Sequence, residues 1–169
     1  MGGTGVDEGK SIAANNNGDV YVTGYFQGSN VYFDPDSIIS PLSSYGGPDI
    51  FVAKYNSSGH YLWAKSVGGS CTDTGYSIAV DASGNAYATG AFSTIDSTNV
   101  DFDPGSGTAN LTSNGSYDIF FAKYDVNGNY LWAHGIGGFS SNYGYGIAVD
   151  ASGNVYITGS FAGTADFDP

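Results

Sequence analysis

Three stretches of this 169-residue chain set aspartates beside a proline. They are Asp101-Phe102-Asp103-Pro104, Asp166-Phe167-Asp168-Pro169 and, with tyrosine in the outer place, Tyr32-Phe33-Asp34-Pro35. In an extended strand alternate residues point to one side, so Asp101 and Asp103 project together, ~6.5–7 Å apart along the chain. Two carboxylates on one side, with loop carbonyls nearby, are the oxygen ligands that a calcium ion takes. Asp34, Asp101, Asp103, Asp166 and Asp168 are therefore candidate calcium ligands, with Asp36 a substitute for the missing outer aspartate of the first copy. A second reading has each aspartate cap a turn through the backbone, while proline fixes the bend. A glycosidase acid and base is a third use of carboxylates near this separation. That use fits poorly, because the pair recurs as a structural unit would and no substrate platform adjoins it.

Other side chains offer less chemistry. Lys54 and Lys123 fall mid-strand, on the faces of Ile50/Val52 and Ile119/Phe121. A lysine among apolar neighbours either runs its stem along the surface or meets a carboxylate; Asp34 and Asp103 are the expected partners. Trp63 and Trp132, each within Tyr-Leu-Trp-Ala, either pack between sheets or form platforms for sugar stacking. His60 and His134 occupy non-equivalent places, and no His/Cys cluster has zinc spacing. No Gly-x-Ser-x-Gly stands in a strand–helix context. The phosphate-binding glycine motifs need a following helix, and none is expected. The chain is thus expected not to be an enzyme.

The elements that carry these residues repeat. Ser11–Phe26, Ser77–Phe92 and Gly146–Phe161 share one pattern, and Asp49–Tyr55 returns as Asp118–Tyr124. Self-similarity at a long fixed period signals stacked or radial units. Gly2-Gly3, Gly68-Gly69 and Gly137-Gly138 mark the joints, at spacings of 66 and 69 residues. The three extra residues fall in Phe92–Phe102. The expected units are residues 1–66, residues 67–135 and a half unit, 136–169. Five Asn/Asp-x-x-Gly-polar turns link apolar runs: Asn15–Asp19, Asn56–His60, Asp81–Asn85, Asp125–Asn129 and Asp150–Asn154. Asp or Asn bonds its own backbone two residues on, and glycine takes the left-handed conformation without steric cost. Each full unit is then a four-stranded antiparallel sheet, with strands a to d in chain order. The long b-to-c connection is expected to extend both strands as a hairpin finger tipped by Pro104–Gly107.

Strands a and c carry apolar groups on both faces, so each sheet is covered on both. Large side chains on one face and small ones on the other let like sheets stack in a ring. The expected fold is therefore all-β, as β-propeller blades of ~66–69 residues with about 2.5 repeats in the chain. A β-sandwich is the alternative.

Composition limits the partners. The chain has 16 acidic residues against 4 basic ones, for a formal charge of −12. Nucleic acid binding is excluded as an expectation, because phosphate neutralisation needs clustered Lys and Arg. An anionic membrane surface would repel the chain, and no apolar run approaches the ~20 residues of a membrane helix. With Cys71 alone there is no disulfide framework. The opening Met1-Gly2-Gly3 has no signal-peptide character. A start at a joint and a stop inside a unit suggest a piece of a longer array.

Ser77–Gly90, Asp118–Asp125 and Asn129–Ala133 together resemble the SBBP-type bacterial β-propeller repeat, and strands a and b are more weakly similar to NHL-type blades. The SBBP resemblance covers nearly the whole chain. It implies a secreted or cell-surface bacterial protein of many such repeats, and no shared catalytic residue. The resulting expectation is a non-enzymatic structural or adhesive scaffold. A carbohydrate-binding, lectin-like module that takes cell-surface polysaccharide on Trp63 and Trp132 is the alternative. The exposed strand edge of the half unit is expected to meet other copies of the chain or further repeats.

Overall fold

The computed structural model describes residues 2–36, 40–95 and 99–168. Two four-stranded antiparallel sheets and one two-stranded sheet follow one another. The first orders β1 (Glu8–Ala14), β2 (Val20–Phe26), β3 (Asp49–Tyr55) and β4 (Tyr61–Val67). The second orders β5 (Thr74–Val80), β6 (Ala86–Phe92), β9 (Asp118–Tyr124) and β10 (Tyr130–Ile136). The third pairs β11 (Tyr143–Val149) with β12 (Val155–Ser160). These are propeller-like blades, and no helix occurs among the described residues.

All five turns close alike. In the first, Asn15 Oδ1 accepts the Asn17 and Asp19 amides at 2.9 Å, and Gly18 takes φ +81°. Asn56, Asp81, Asp125 and Asp150 accept the same two amides in their own turns. The side chain satisfies donors that a tight turn leaves unpaired, and so sets the hairpin register.

The blades stack through unlike faces. Tyr21, Thr23, Ile50 and Val52 of the first blade meet Ala86, Ala88 and Gly75 of the second. The Tyr21 hydroxyl donates to Gly84 O at 2.8 Å. The innermost strands are linked directly, because Ser11 Oγ accepts the Ile78 amide at 3.3 Å and Ser77 Oγ accepts the Ile147 amide at 3.3 Å. Glycine is required at the contact: a Cβ on Gly75 would strike Thr23 Oγ1, and one on Gly144 would strike Thr89 Oγ1. Both threonines are held in place by donating to strand c, to Phe51 O at 2.8 Å and Phe120 O at 2.6 Å.

The finger differs from its expected form. Strands b and c do not run on past the sheet. β6 ends at Phe92, and the chain forms a separate ribbon, β7 (Val100–Asp101) against β8 (Asn110–Leu111). The first blade repeats the arrangement with a Val31–Leu42 bridge. Phe102 turns back to pack on Phe92 and Phe120, with ring centroids 5.5 and 5.1 Å away. Phe33 does the same with Phe26 and Phe51, at 5.6 and 4.8 Å. Burying these rings outweighs continuing the ladder, so the ribbon folds over its own sheet. Its base also bridges to its own joint, at Gly2–Tyr32, Gly68–Asp101 and Gly137–Asp166. The three-residue insertion of the second unit overlaps positions 96–98, outside the described residues.

Two glycines test the stacking contact. Gly75→Ala is expected to destabilise the chain by about 1–3 kcal/mol, because Thr23, Gly24 O and the Ile50 methyl leave no room. Gly9 is its counterpart on the outer face of the first blade, where a Cβ would meet only a Val22 methyl at 3.6 Å. Gly9→Ala should change stability by less than about 0.5 kcal/mol. Urea unfolding of both variants makes the comparison.

Candidate functional site: the blade joints

At the Gly68 and Gly137 joints, the first and second between blades, the ribbon, the start of strand c and the joint glycine line a cavity. The first, of about 550 Å³, is lined by Asp49, Ser66, Gly68, Asp101 and Asp103 among others. The second, of about 270 Å³, is lined by Asp118, His134, Gly137, Asp166 and Asp168. The structure thus brings each ribbon carboxylate pair to a buried aspartate at the start of strand c, which the sequence reading did not connect with them. The available signal was the 69-residue spacing of Asp49 and Asp118, each one residue ahead of the strand's apolar run.

The ribbon carboxylates already serve the backbone. Asp101 Oδ1 accepts the Asp103 and Ala109 amides at 3.0 and 2.8 Å, and Asp103 Oδ1 accepts the Gly105 amide at 2.8 Å. Asp34 Oδ1 accepts the Asp36 amide and Asp166 Oδ1 the Asp168 amide, both at 3.0 Å. Pro169 lies outside the described residues. Among the described residues, no three His, Cys, Asp or Glu side chains gather as a metal-holding group.

The lysines find other partners than Asp34 and Asp103. Lys54 Nζ lies 3.0 Å from Asp19 Oδ2, and Lys123 Nζ 3.7 Å from Asp81 Oδ2. Both partners sit in the a–b turn. The lysine face of strand c is the face of Tyr21 and Tyr87, whose rings lie 5.0 and 4.8 Å beneath the two ammonium groups. The ribbon covers the opposite face. Burial opposes the charge on Lys54, but the Tyr21 hydroxyl and Asp19 outweigh it and hold the pKa above the ordinary lysine value.

The tryptophans are not equivalent in surroundings. Trp63 Nε1 donates to Val126 O of the next blade at 3.0 Å, and its ring meets Tyr21 edge-on at 6.2 Å. That ring is a blade contact. Trp132 gathers with Tyr87, Phe121 and His134, at centroid distances of 6.0, 5.8 and 5.4 Å. A different aromatic row, absent from the sequence reading, crosses two blades. Tyr117, Tyr143, Tyr145 and Tyr76 follow one another at 5.6, 6.0 and 5.7 Å. Tyr76 and Tyr145 are the bulged residues of β5 and β11, which swings them out of the strand alternation.

Residues 127–160 match the family model SBBP, described as a beta-propeller repeat. The matched segment runs from the β9–β10 turn through β12, the passage from one blade into the next. The chain is 33% identical over 114 residues to an uncharacterized WD repeat-containing protein of Acanthamoeba polyphaga mimivirus, covering 62% of this chain and 8% of that protein. It is 28% identical over 114 residues to the regulatory protein FlaEY of Caulobacter vibrioides, covering 68% of this chain and 12% of that protein. The chain spans about a tenth of the length of these curated relatives.

Two outcomes test this assignment of side chains. Lys54→Met should lower the melting temperature by about 4 °C or more, and Lys123→Met by clearly less, because the Lys54 side chain is 6% exposed and that of Lys123 21%. In each ribbon the carboxylates accept backbone amides, which is the turn-capping use of these aspartates. Millimolar calcium is therefore expected to leave the melting temperature unchanged, whereas a rise of several degrees would assign the ribbon carboxylates to calcium.

Proposed function

We propose that this chain is a non-enzymatic segment of an extracellular β-propeller that works as a structural or adhesive scaffold. Its task is to hold ribbons and joint loops in a fixed, repeated array for further repeats or other copies of itself. The observation that carries this reading is the use made of the reactive groups. Turn aspartates, ribbon aspartates, strand threonines and the strand-c lysines Lys54 and Lys123 bond backbone or each other at equivalent places in successive blades. A catalytic set would break the repeat, since one substrate needs one constellation of distinct roles. The SBBP match over residues 127–160 and the acidic balance agree with a repeat that presents shape at a surface. Surface proteolysis of intact bacteria that carry the protein tests the location. Loss of the protein from shaved cells is expected, and full protection behind the envelope would overturn the extracellular assignment.

A second reading, recognition of a cell-surface polysaccharide, is favoured by the tyrosine row rather than by Trp63. Tyr145 is 54% exposed and stacks nearly parallel to Tyr143. Aromatic faces with a polar tip suit sugar rings. A glycan array separates the two readings. Dose-dependent binding that Tyr145→Ser abolishes would establish a lectin-like module, and a scaffold shows no such binding.

A further inference from the structure

The blade joints repeat one carboxylate and vary its partner. At the second joint, Asp118 Oδ2 accepts the Asn114 amide at 2.8 Å, and Asp118 Oδ1 accepts a hydrogen from Asn142 Nδ2 at 3.2 Å. At the first joint, Asp49 Oδ2 accepts the Tyr45 amide at 3.0 Å, in the same way and 69 positions earlier. Ser66 Oγ adds a second bond to that oxygen, at 3.3 Å. Asp49 Oδ1 therefore sits where Asp118 Oδ1 does, but it is buried and has no partner. The residue in the place of Asn142 is Asp73.

Asp73 shares with Asn142 the bond to the end of strand b, while the Asn142 amide also donates to Ser140 O at 2.8 Å and Tyr117 O at 3.3 Å. Asp73 Oδ1 accepts the Ser93 amide at 2.9 Å, as Asn142 Oδ1 accepts the Ala162 amide at 3.3 Å. Its Oδ2 accepts the Gly69 amide at 2.8 Å. Asp7 of the first blade bridges Gly3 and Gln27 likewise. Each of these residues ties the joint loop to the end of strand b. What Asp73 lacks is the amide hydrogen that Asn142 turns toward the strand-c carboxylate. It can offer a hydrogen there only as a neutral acid.

We propose that Asp49 and Asp73 share one proton across the first joint, and that this proton makes the joint a pH-responsive latch between the first and second blades. With the proton in place, an O–H bonds the otherwise orphaned oxygen, as the Asn142 amide does one blade later. Without it, two carboxylates confront each other in a buried site. Asp49 is 1% exposed and Asp73 0%. The groups that face them do not neutralise the charge. β4 contributes Ser66, the joint loop contributes Gly68 and Gly69, and Tyr45 contributes its backbone amide. The ribbon contributes Asp101 and Asp103, which are acidic again. No Lys, Arg or His lines that cavity among the described residues.

The electrostatics run in the same direction. Burial, with Asp73 nearby, pushes Asp49 up to about 7, and burial pushes Asp73 up to about 6. Both values lie above the ordinary ~4 of an unfolded aspartate. The folded chain therefore binds more protons than the unfolded one between pH ~4 and ~7. Its stability is greatest on the acid side of that window and falls as pH rises through it.

Thermal melting of the chain from pH 5 to pH 8 tests the latch. The wild type should melt at least about 4 °C higher at pH 5 than at pH 8. Asp73→Asn supplies the amide used at the second joint, and Asp49→Asn supplies one from the opposite side. Each should raise the pH 8 midpoint relative to wild type and flatten the slope. A wild-type midpoint that stays level or rises toward pH 8, or variants that keep the wild-type slope, would overturn the proposal. If neither variant folds, carboxyl-carbon NMR titration of the wild type decides. A titration of the pair above pH 5 supports the shared proton, and both groups titrating near pH 4 refutes it.

Discussion

Close approach of unlike sheet faces is the constraint on which the rest of this molecule depends. A blade can be covered on both sides only if one face is large and the next is small. Tyr21, Thr23, Ile50 and Val52 supply the large face, and Gly75, Ala86 and Ala88 the small one. The Thr23–Gly75 contact recurs as Thr89–Gly144, so the same pair sets the separation twice. Once that separation is fixed, the Ser11 and Ser77 hydroxyls reach the next innermost strand, and Tyr21 reaches the next turn. In the outer part of the gap the ribbon adds its own side chains to those of the strands. Val100 and Phe102 of the ribbon share one core with Ile50, Val52 and Val67 of the preceding blade. The ribbon thus acts as a wedge, and its position follows from blade geometry rather than from its own pairing.

Features set by local chemistry were legible in the sequence. The five turns could be read because Asp or Asn and glycine act within five residues of each other, and nothing tertiary competes with them. The strands and the two-sided burial followed from periodicity for the same reason. The finger was misplaced because its direction depends on where Phe102 finds other rings, and Phe92 and Phe120 are tertiary neighbours. The lysines were assigned to the wrong aspartates for a related reason. Alternation correctly gave the face of Lys54 and Lys123, but only the structure shows that the a–b turn lies on that face and the ribbon on the other.

The joint chemistry was least legible, and its concealment has a physical cause. Asp7, Asp73 and Asn142 differ in charge yet hold one backbone position, because each needs only an oxygen for the amide at the end of strand b. Repeated residue types do not mark such a site, whereas its repeated hydrogen bonds do. The tyrosine row was hidden in the same way, since a bulge at Gly75/Ser77 and at Gly144/Gly146 shifts Tyr76 and Tyr145 out of the alternation that sequence reading assumes.

A repeat architecture separates what must stay constant from what can vary. Backbone donors at a joint are dictated by the stacking, and they demand an acceptor at a fixed place. Which acceptor it is, acid or amide, is free as far as the fold is concerned, because both present the same oxygen. The second oxygen of the acid, or the amide nitrogen, then faces whatever the neighbouring strand offers. In this chain that neighbour is a buried carboxylate each time, Asp49 or Asp118. An amide there closes the joint at any pH, and an acid closes it only with a proton. A single-residue choice at an otherwise invariant position can therefore give successive blades of one array different responses to their medium, with no change in shape.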